Sequence, residues 1–560
     1  MHELEAVFRA AIQDGLTTGS ITSPLRWAEK YRVFGGEYPG PYRTDRYPWC
    51  DEIHNCTAEN LIVMKGAQLG VTEAMLNVCL YTLDKRKVRA MYVMPTQSVA
   101  HDFSNSRLAH AMEMSPYIKS MFVMNDSVGL KRTKYSTLLI RGAGSRTQLR
   151  SEPVGALFLD EVDIMPKAAI AEVRERLSGH DKKFFRAIST PGIPGEGIDV
   201  MFRMGTQEYL MFPCPMCGRL IRLVFPDSFV ICGEHVSDPD IAKSHLICTE
   251  CKGVLKHEEK SQWLTRDKAL WVPFNTAADK EYRSLHISQL YSPTVTPRNI
   301  AEHYFLGQGS EEEYLHFYND KMGYPKVLAE GKVYEEDFSK LYGSHTKDSP
   351  RPVDSNDGFY VAGIDVGTYL HICVVRFDFD PYELDLQANS MATLAWEGTI
   401  PTEDMSQLEE LMVDWQLKGV VVDSAPETAL MRAFARQHAG FVWLCQYRTG
   451  VKGKEISISD DGTYAPLVTV ERSNWMSHVM RRFKTGKIIL PYDLCAEYKT
   501  HVKNVTRSYR KRADGTGSDL VFTNGGGAAD HFYHAQTYAE IALPLAVSKY
   551  SNRSVKAYLG

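Results

Sequence analysis

The chain reads as an α/β protein built from two successive α/β domains, and three stretches carry that reading. Leu61–Glu73 (LIVMKGAQLGVTE) passes from an apolar strand through a glycine-bearing turn into a helix start. Ala156–Asp163 (ALFLDEVD) is a second apolar strand, ending on two adjacent carboxylates, Asp160 and Glu161. Far downstream, Tyr360–Phe377, Gly419–Pro426 and Gly525–Glu540 set Asp365, Asp423 and Asp530 in strand, strand-end and first-turn-of-helix contexts. Between these landmarks strands alternate with helices, which implies a mostly parallel sheet covered on both faces.

Length and composition set the frame. At 560 residues the chain exceeds one hydrophobic core, so two or more domains are expected. Hydrophobic content of 44% and charged content of 24% are those of a soluble globular protein. No apolar run is long enough to span a bilayer, and MHELEAVFRAAIQDG lacks a basic n-region and an apolar h-region, so no membrane role and a cytoplasmic location are expected. The net charge of −5 argues against general nucleic-acid coating and leaves local basic tracks open.

Residues 1–60 form an N-terminal arm, with Ser23–Glu29 a helix start and Pro39–Trp49 a Pro- and Tyr-rich loop whose Tyr42 and Tyr47 are candidates to stack on adenine. Residues 61–209 are the core of the first domain. Its turn has the layout of a phosphate-binding P-loop: backbone N–H groups and a helix N-terminus face an anion, and Gly66 and Gly70 allow close approach. Against G-x-x-x-x-G-K-[ST], Val71 stands at the lysine position and Lys65 at the first glycine, so the cation has moved to the other end of the loop. Lys65, Gly66, Gln68, Gly70, Val71 and Thr72 are thus the candidate ATP-binding residues. Asp160 suits a carboxylate holding Mg²⁺, and Glu161 one that orients and deprotonates the attacking water. Ala90–Met94, Thr137–Arg141 and Phe185–Ser189 are further strands, Ser98–Met114 a helix, and Ser189 and Thr190 a polar strand end able to sense a γ-phosphate. Arg146 and Arg150, in a Gly/Arg-rich turn, are candidates to steady the transferring phosphate.

Residues 210–260 interrupt the rhythm. Cys214 and Cys217, then Cys248 and Cys251, form two C-x-x-C turns followed by glycine, the pattern of a four-thiolate structural Zn²⁺ in a zinc-ribbon-like insertion. Cys232, His235 and His245 fall on the intervening loop. Residues 261–339 complete or bridge the first domain, with helices over Asn299–Phe305 and Glu311–Asn319, and residues 340–358 read as a polar linker. Residues 359–548 are the second domain and 549–560 a tail.

A hairpin strand with a central Asp, a later strand ending in Asp and a C-terminal helix opening with Asp form a ribonuclease-H-like arrangement. Asp365, Asp423 and Asp530 would hold two Mg²⁺ or Mn²⁺ ions about 3.5–4 Å apart for phosphodiester hydrolysis. Glu427 and His531 are secondary candidates. The run KTHVKNVTRSYRKR reads as a basic β-hairpin beside that site, with Lys499, Lys503, Arg507, Arg510, Lys511 and Arg512 for phosphates and Tyr509 for a base.

The displaced-lysine loop, LDEVD, the four-cysteine insertion, GIDVG, VVVDSAP and ADHFYHA occur here in one order over roughly residues 20–545. As a set they resemble the large terminase subunit of tailed bacteriophages, in the branch that includes the phage lambda packaging enzyme. The resemblance implies a motor that hydrolyses ATP with Mg²⁺, translocates double-stranded DNA into a procapsid and cuts the concatemer. It assigns Lys65, Gly70, Thr72 and Asp160 to nucleotide and Mg²⁺, Glu161 to water activation, Ser189–Thr190 to coupling and the three aspartates to the nuclease. It also implies a small terminase subunit, a portal protein, a homo-oligomeric ring and the cytoplasm of an infected bacterium. Many members carry an arginine inside the loop, where this chain has Ala67, Gln68 and Leu69; that directs attention to Arg146, Arg150 or a neighbouring subunit. Two other readings are an ATP-dependent DNA helicase or repair nuclease, for which a second helicase-type lobe is lacking, and a catalytically silent assembly factor, for which every required acid is nevertheless present.

Overall fold

The computed structural model describes residues 22–550, apart from 37–38, 124–126, 151, 329, 351, 353, 355–357, 381–385, 427, 449–455, 461–464, 513–516 and 526. The chain forms two units, Met1–Lys326 with Tyr509–Asp519, and Val327–Ser508 with Leu520–Gly560.

The strands of the first unit's main sheet are β1 (Asn60–Lys65), β2 (Ala90–Met94), β3 (Leu130–Arg132), β4 (Thr137–Gly142), β5 (Ala156–Asp160), β6 (Phe184–Ser189), β7 (Glu208–Pro213), β8 (Leu220–Ile221), β9 (Leu270–Pro273) and β10 (Tyr282–Ile287). Their order is β8-β7-β10-β1-β6-β5-β2-β4-β3, with β9 added alongside β7. From β7 to β4 every neighbouring pair is parallel, and β3, β8 and β9 are antiparallel edges. β1, β2, β5 and β6 are almost wholly buried, which explains their unbroken apolar runs. The C-terminal ends of β1, β5 and β6 lie side by side, and those ends carry Lys65, Asp160 and Ser189.

Two strands depart from the sequence reading. β10 lies in the stretch read as completing or bridging the first domain, where only helices were singled out, and it runs beside β1 along its whole length. Its pattern YRSLHI mixes polar and apolar side chains, and Ser284 and His286 are buried through hydrogen bonds rather than hydrophobicity. β7 and β8 carry the main sheet past residue 210, so the insertion proper is a small sheet of Phe229–Val230, His245–Ile247 and Val254–Leu255 with the cysteine turns. The expected helix after β2 forms over Gln97–Met114, with a π-helical segment at Phe103–Leu108.

In the second unit we number β11 (Gly358–Val366), β12 (Tyr369–Asp378), β13 (Met391–Pro401), β14 (Val420–Asp423), β15 (Val442–Arg448), β16 (Ser457–Asp460), β17 (Pro466–Glu471) and β18 (Ile488–Ile489). The sheet order is β16-β17-β15-β14-β11-β12-β13-β18. β11, β12 and β13 form an antiparallel meander, and β14 and β15 add to β11 in parallel. The long helix α1 (His531–Tyr550) lies against β11. Contact is so close at Gly363 that a Cβ there would stand 2.0 Å from Ala535 O, so only glycine fits.

Residues 340–349 are not a free linker. Gly343 N–H donates to Leu490 O (2.8 Å), His345 Nε2 lies 3.0 Å from Leu394 O and Lys347 pairs with the buried Glu397 at 2.6 Å. The polar run thus holds the edge of its own unit. The basic run is also only half hairpin: Ala496–Asn504 is helical, and the hairpin proper is Thr506–Lys511 with Ser518–Thr523. Tyr498, His501 and Val502 supply the buried face that favours the helix.

Candidate functional site

In the first unit, β1 ends at Lys65, and the turn Gly66–Gly70 leads into the helix Val71–Tyr81. The turn is held from behind. Gly66 N–H donates to Ile287 O (2.8 Å), Ala67 N–H to Asp320 O (2.7 Å), and Gln289 Nε2 to Ala67 O (2.8 Å). A Cβ at Gly66 would approach Lys321 O to 2.8 Å. Gly66 is therefore a packing glycine with its N–H committed, which corrects its expected place among the anion donors. Those donors belong to the helix start: the helix's own bonding begins with Ala74 N–H to Gly70 O, so earlier N–H groups lack intrahelical partners. Gln68 and Gly70 both adopt left-handed φ, 57° and 73°, which turns the chain into the helix.

The aromatic expectation is half corrected. Tyr42 is buried against Phe34 and His54 and is unavailable to a base. Tyr47 stands over Gly70 and edge-on to Trp49, whose indole N–H donates to Leu69 O at 2.8 Å.

The two carboxylates differ sharply. Asp160 is buried; Tyr92 donates to its Oδ2 at 3.0 Å, and Oδ1 has no hydrogen-bond partner. Burial, with Glu161 beside it, pushes Asp160 up to about 6. Glu161 follows at φ 59°, a left-handed conformation uncommon outside glycine, which turns its side chain out of the strand direction. Burial acts to raise Glu161, but the Lys65 ammonium, 3.2 Å from Oε1, outweighs it and holds the carboxyl below its ordinary value. Ser189 Oγ lies 3.4 Å from Glu161 Oε2 and accepts the N–H of Asp163 at 3.2 Å. Asp163, which the sequence did not single out, accepts N–H bonds from Gly192 and Ile198, both at 2.9 Å. It thereby ties the acidic strand end to the loop following Thr190.

An open cavity of about 270 Å³ is lined by Thr72, Asp102, Ser106, Arg107, Asp160 and Glu161, among others. Arg107 was also missed; it lies in the π-helical segment, a feature common at functional sites. Its Nη1 pairs with Glu73 at 3.1 Å, and Glu73 in turn pairs with the buried Arg32 at 2.8 Å. Arg150 pairs instead with Glu172 on an exposed face and does not line that cavity. Arg146 opens the short helix Arg146–Leu149.

The sulfurs of Cys214, Cys217, Cys248 and Cys251 lie within 4.8 Å of one another, with 4.0 Å between Cys214 and Cys251 and 3.9 Å between Cys217 and Cys248. Tetrahedral zinc–thiolate geometry calls for about 3.8 Å. Cys232, His235 and His245 stay outside the group.

In the second unit Asp365 on β11 faces His371 on β12, and Asp423 ends the neighbouring strand β14. Asp365 Oδ2 is 2.8 Å from His531 Nδ1. Burial, with Asp365 nearby, pushes Asp423 up to about 6. Asp530 stands just before α1, where it accepts the N–H of Tyr533 at 2.9 Å, one position earlier than the first-turn place expected. Although burial acts to raise it, His534 and Arg472 hold Asp530 low. The ligand groups that come together here are Asp365, His371 and His531, and His371, Glu497 and His501, mixed nitrogen–oxygen sets rather than the three aspartates alone. Glu427 lies outside the described residues.

The basic candidates are paired. Lys503 meets Glu335 at 2.9 Å, with Lys499 3.9 Å from the same residue, and Arg512 meets Asp519 at 2.7 Å. Within the first unit Arg510 meets Glu196 at 2.7 Å and Lys511 pairs with Asp320.

A parallel sheet whose central strand ends in a lysine and a glycine turn, one strand removed from a strand that ends on Asp160 and is followed by Glu161, has the layout of the P-loop class of nucleotide-binding proteins. Within that class, residues 36–271 match the family described as phage terminase large subunit gpA, ATPase domain. The large terminase subunit of Enterobacteria phage P21 is 25% identical over 324 residues, a match covering 51% of this chain and about half the length of that relative. The HK97 bacteriophage large terminase superposes with a TM-score of 0.48 at 10% identity, covering 92% of this chain and 98% of that one. The large terminase of a thermophilic bacteriophage gives 0.32 at 12% identity, covering 90% and 99%. No helix among the described residues is long and apolar enough to cross a membrane.

Proposed function

We propose that the protein is a viral DNA-packaging motor subunit, with ATP hydrolysis in the first unit and metal-dependent DNA cleavage in the second. The observation that carries the first activity is the unpartnered, buried Oδ1 of Asp160 in one cavity with Thr72, Arg107 and Glu161. An orphaned carboxylate oxygen in one cavity with a hydroxyl fits a Mg²⁺ ion, which would supply charge neutralisation at the phosphates. Thr72 and Asp160 hold that ion, and the helix-start N–H groups hold the phosphates. Glu161, kept ionised by Lys65, accepts the proton of the attacking water. As the nucleotide binds, Lys65 exchanges its carboxylate partner for a phosphate oxygen, which frees Glu161 for that role. Ser189 and Asp163 pass the altered position of Glu161 to the loop beyond Thr190.

For cleavage, Asp365 and Asp423, with Asp530 beyond, hold divalent ions that supply charge stabilisation at the phosphodiester. His531, bonded through Nδ1 to Asp365, fixes that carboxylate, and its imidazole together with His371 suits Mn²⁺ better than Mg²⁺. The four cysteines fit a closed structural Zn²⁺. The likeness to phage terminase large subunits supports the remaining assignments of this reading: double-stranded DNA, a small terminase subunit, a procapsid portal, a homo-oligomeric ring and the cytoplasm of the infected bacterium. Lys499, Lys503, Arg510, Lys511 and Arg512 serve DNA by exchanging carboxylate partners for phosphates, and Arg507 adds to the same run.

The test is a paired assay of ATP turnover and DNA cleavage. Glu161→Ala should lower ATP turnover by about 10²–10⁴-fold and leave cleavage intact. Asp365→Ala should do the reverse. Loss of both activities in either folded variant overturns the two-site assignment.

A further inference from the structure

One side-chain cluster in the first unit belongs to neither site above. The helix Pro297–Gly309 and the helix Glu311–His316 form a hairpin joined by Ser310 alone. Ser310 Oγ accepts the N–H of Glu313 at 3.4 Å and so caps the second helix. At Gly307 the helices come so close that a Cβ would stand 3.0 Å from Tyr314 Cα. Glu313 and His316 are three residues apart and share a helix face. That face meets His303 of the first helix, and one ligand atom from each of the three lies within 4.8 Å of the others.

We propose that His303, Glu313 and His316 form a second transition-metal site, taking a divalent ion of the zinc class. Three features support it. First, Nδ1 of His303 and Nδ1 of His316 are both shielded from solvent without a hydrogen-bond partner. A shielded polar atom left so is unfavourable, and an ion satisfies both at once. Second, Glu313 Oε2 is 4.0 Å from His316 Nδ1. That is too long for a hydrogen bond and wider than the roughly 3.3 Å between two ligands of a tetrahedral ion with bonds of about 2.0 Å, a gap that a small turn of either side chain would close. Third, the other nitrogen of His316, Nε2, is 3.0 Å from Asp320 Oδ2. A proton on Nε2 leaves the Nδ1 lone pair free, the carboxylate–histidine pairing that orients metal-bound imidazoles. A protonated His316 between Glu313 and Asp320 explains His316 but leaves the Nδ1 of His303 unpaired.

Two imidazoles and one carboxylate suit Zn²⁺, Co²⁺ or Ni²⁺ and disfavour Mg²⁺. Three protein ligands leave a fourth position for water. Asp320 is the positioning residue: its backbone O receives Ala67 N–H behind the phosphate loop, and its carboxylate also takes Lys511. The ion would therefore brace the loop from the side opposite the nucleotide, without depending on the reaction proposed above.

The experiment counts metal on the full chain, stripped with a chelator, equilibrated with Co²⁺ and desalted. The thiolate-to-cobalt charge-transfer band reports the four-cysteine site by itself, so failure of that assignment would be seen separately. We expect the His303→Ala/His316→Ala double variant to hold one equivalent less than the unaltered chain, with the thiolate band unchanged and any ions at the Asp365 group present in both. Should the double variant fail to fold, Glu313→Gln at an exposed position should weaken the non-thiolate equivalent at least tenfold by competition titration. Asp320→Asn should weaken it by about 10–100-fold. An unchanged metal count in the double variant, unchanged affinity in Glu313→Gln, or no equivalent beyond the thiolate site overturns the proposal.

Discussion

The two units arrange acidic strand ends in the same way and balance them differently. In each, a buried aspartate at the end of a parallel strand is pushed up to about 6: Asp160 in one, Asp423 in the other. In the first unit the neighbouring Glu161 is matched by Lys65, while Arg107 at the cavity wall pairs with Glu73, and both cations can move to an incoming anion. In the second, Asp365 and Asp530 are matched by histidines, His531 and His534, groups that can also ligate metal or carry protons. The difference teaches that the acids alone do not define the chemistry. In the reading proposed above, their counter-charges would separate a site for a phosphate chain from one for metal ions.

The comparison breaks most visibly at Arg107. If it supplies the mobile positive charge, Arg107→Ala should lower ATP turnover by about 10²–10³-fold with little change in KM. Arg150→Ala, on an exposed ion pair, should change it less than about twofold. Equal losses in the two variants would return the role to the Gly/Arg turn.

A smaller effect is expected at the second site. Mn²⁺ should support DNA cleavage about tenfold better than Mg²⁺, and His531→Ala should erase that preference. Cleavage indifferent to the ion in the unaltered protein would make the imidazoles bystanders.

The mildest effect concerns stability. Burial pushes Asp163 up to about 7, above the usual carboxylate value of the unfolded chain. Its contribution is thus fully present below about pH 4 and lost as pH rises through 7. The associated slope is at most about 1.4 kcal/mol per pH unit. Asp163→Asn should flatten the denaturation midpoint across that window, and an unaltered slope would place the titration elsewhere.

Much of this was legible in the sequence where hydrophobicity and chemistry coincide. β1, β5 and β6 are apolar runs ending in reactive side chains, so their existence and their ends could be read together. The same holds for Asp365 and Asp423, set in GIDVG and VVVDSAP, and for the cysteine pairs, whose spacing is itself the geometry. What stayed hidden depended on distant partners. β10 is stabilised by its neighbours rather than its own pattern, with His286 bonded to the carbonyls of Met322 and Gly323. Arg107 sits on a helix that looks like any solvated helix until the cavity forms beside it. Asp163 differs from an ordinary turn aspartate only through the N–H groups of Gly192 and Ile198. Tyr42 was misread because a tyrosine in a Pro-rich loop looks available until Phe34 and His54 close over it.

The hold on the phosphate loop bears on how this protein is made. Gly66 and Ala67 are shaped by the carbonyls of Ile287 and Asp320, more than two hundred residues downstream. During synthesis the ribosome must release the chain past Gly323 before the loop acquires its supports, so the nucleotide site is a late product of folding. A fragment cut at residue 271, where the family match stops, would contain Lys65, Thr72, Asp160 and Glu161 yet lack the strand and the carbonyls that set the loop's shape.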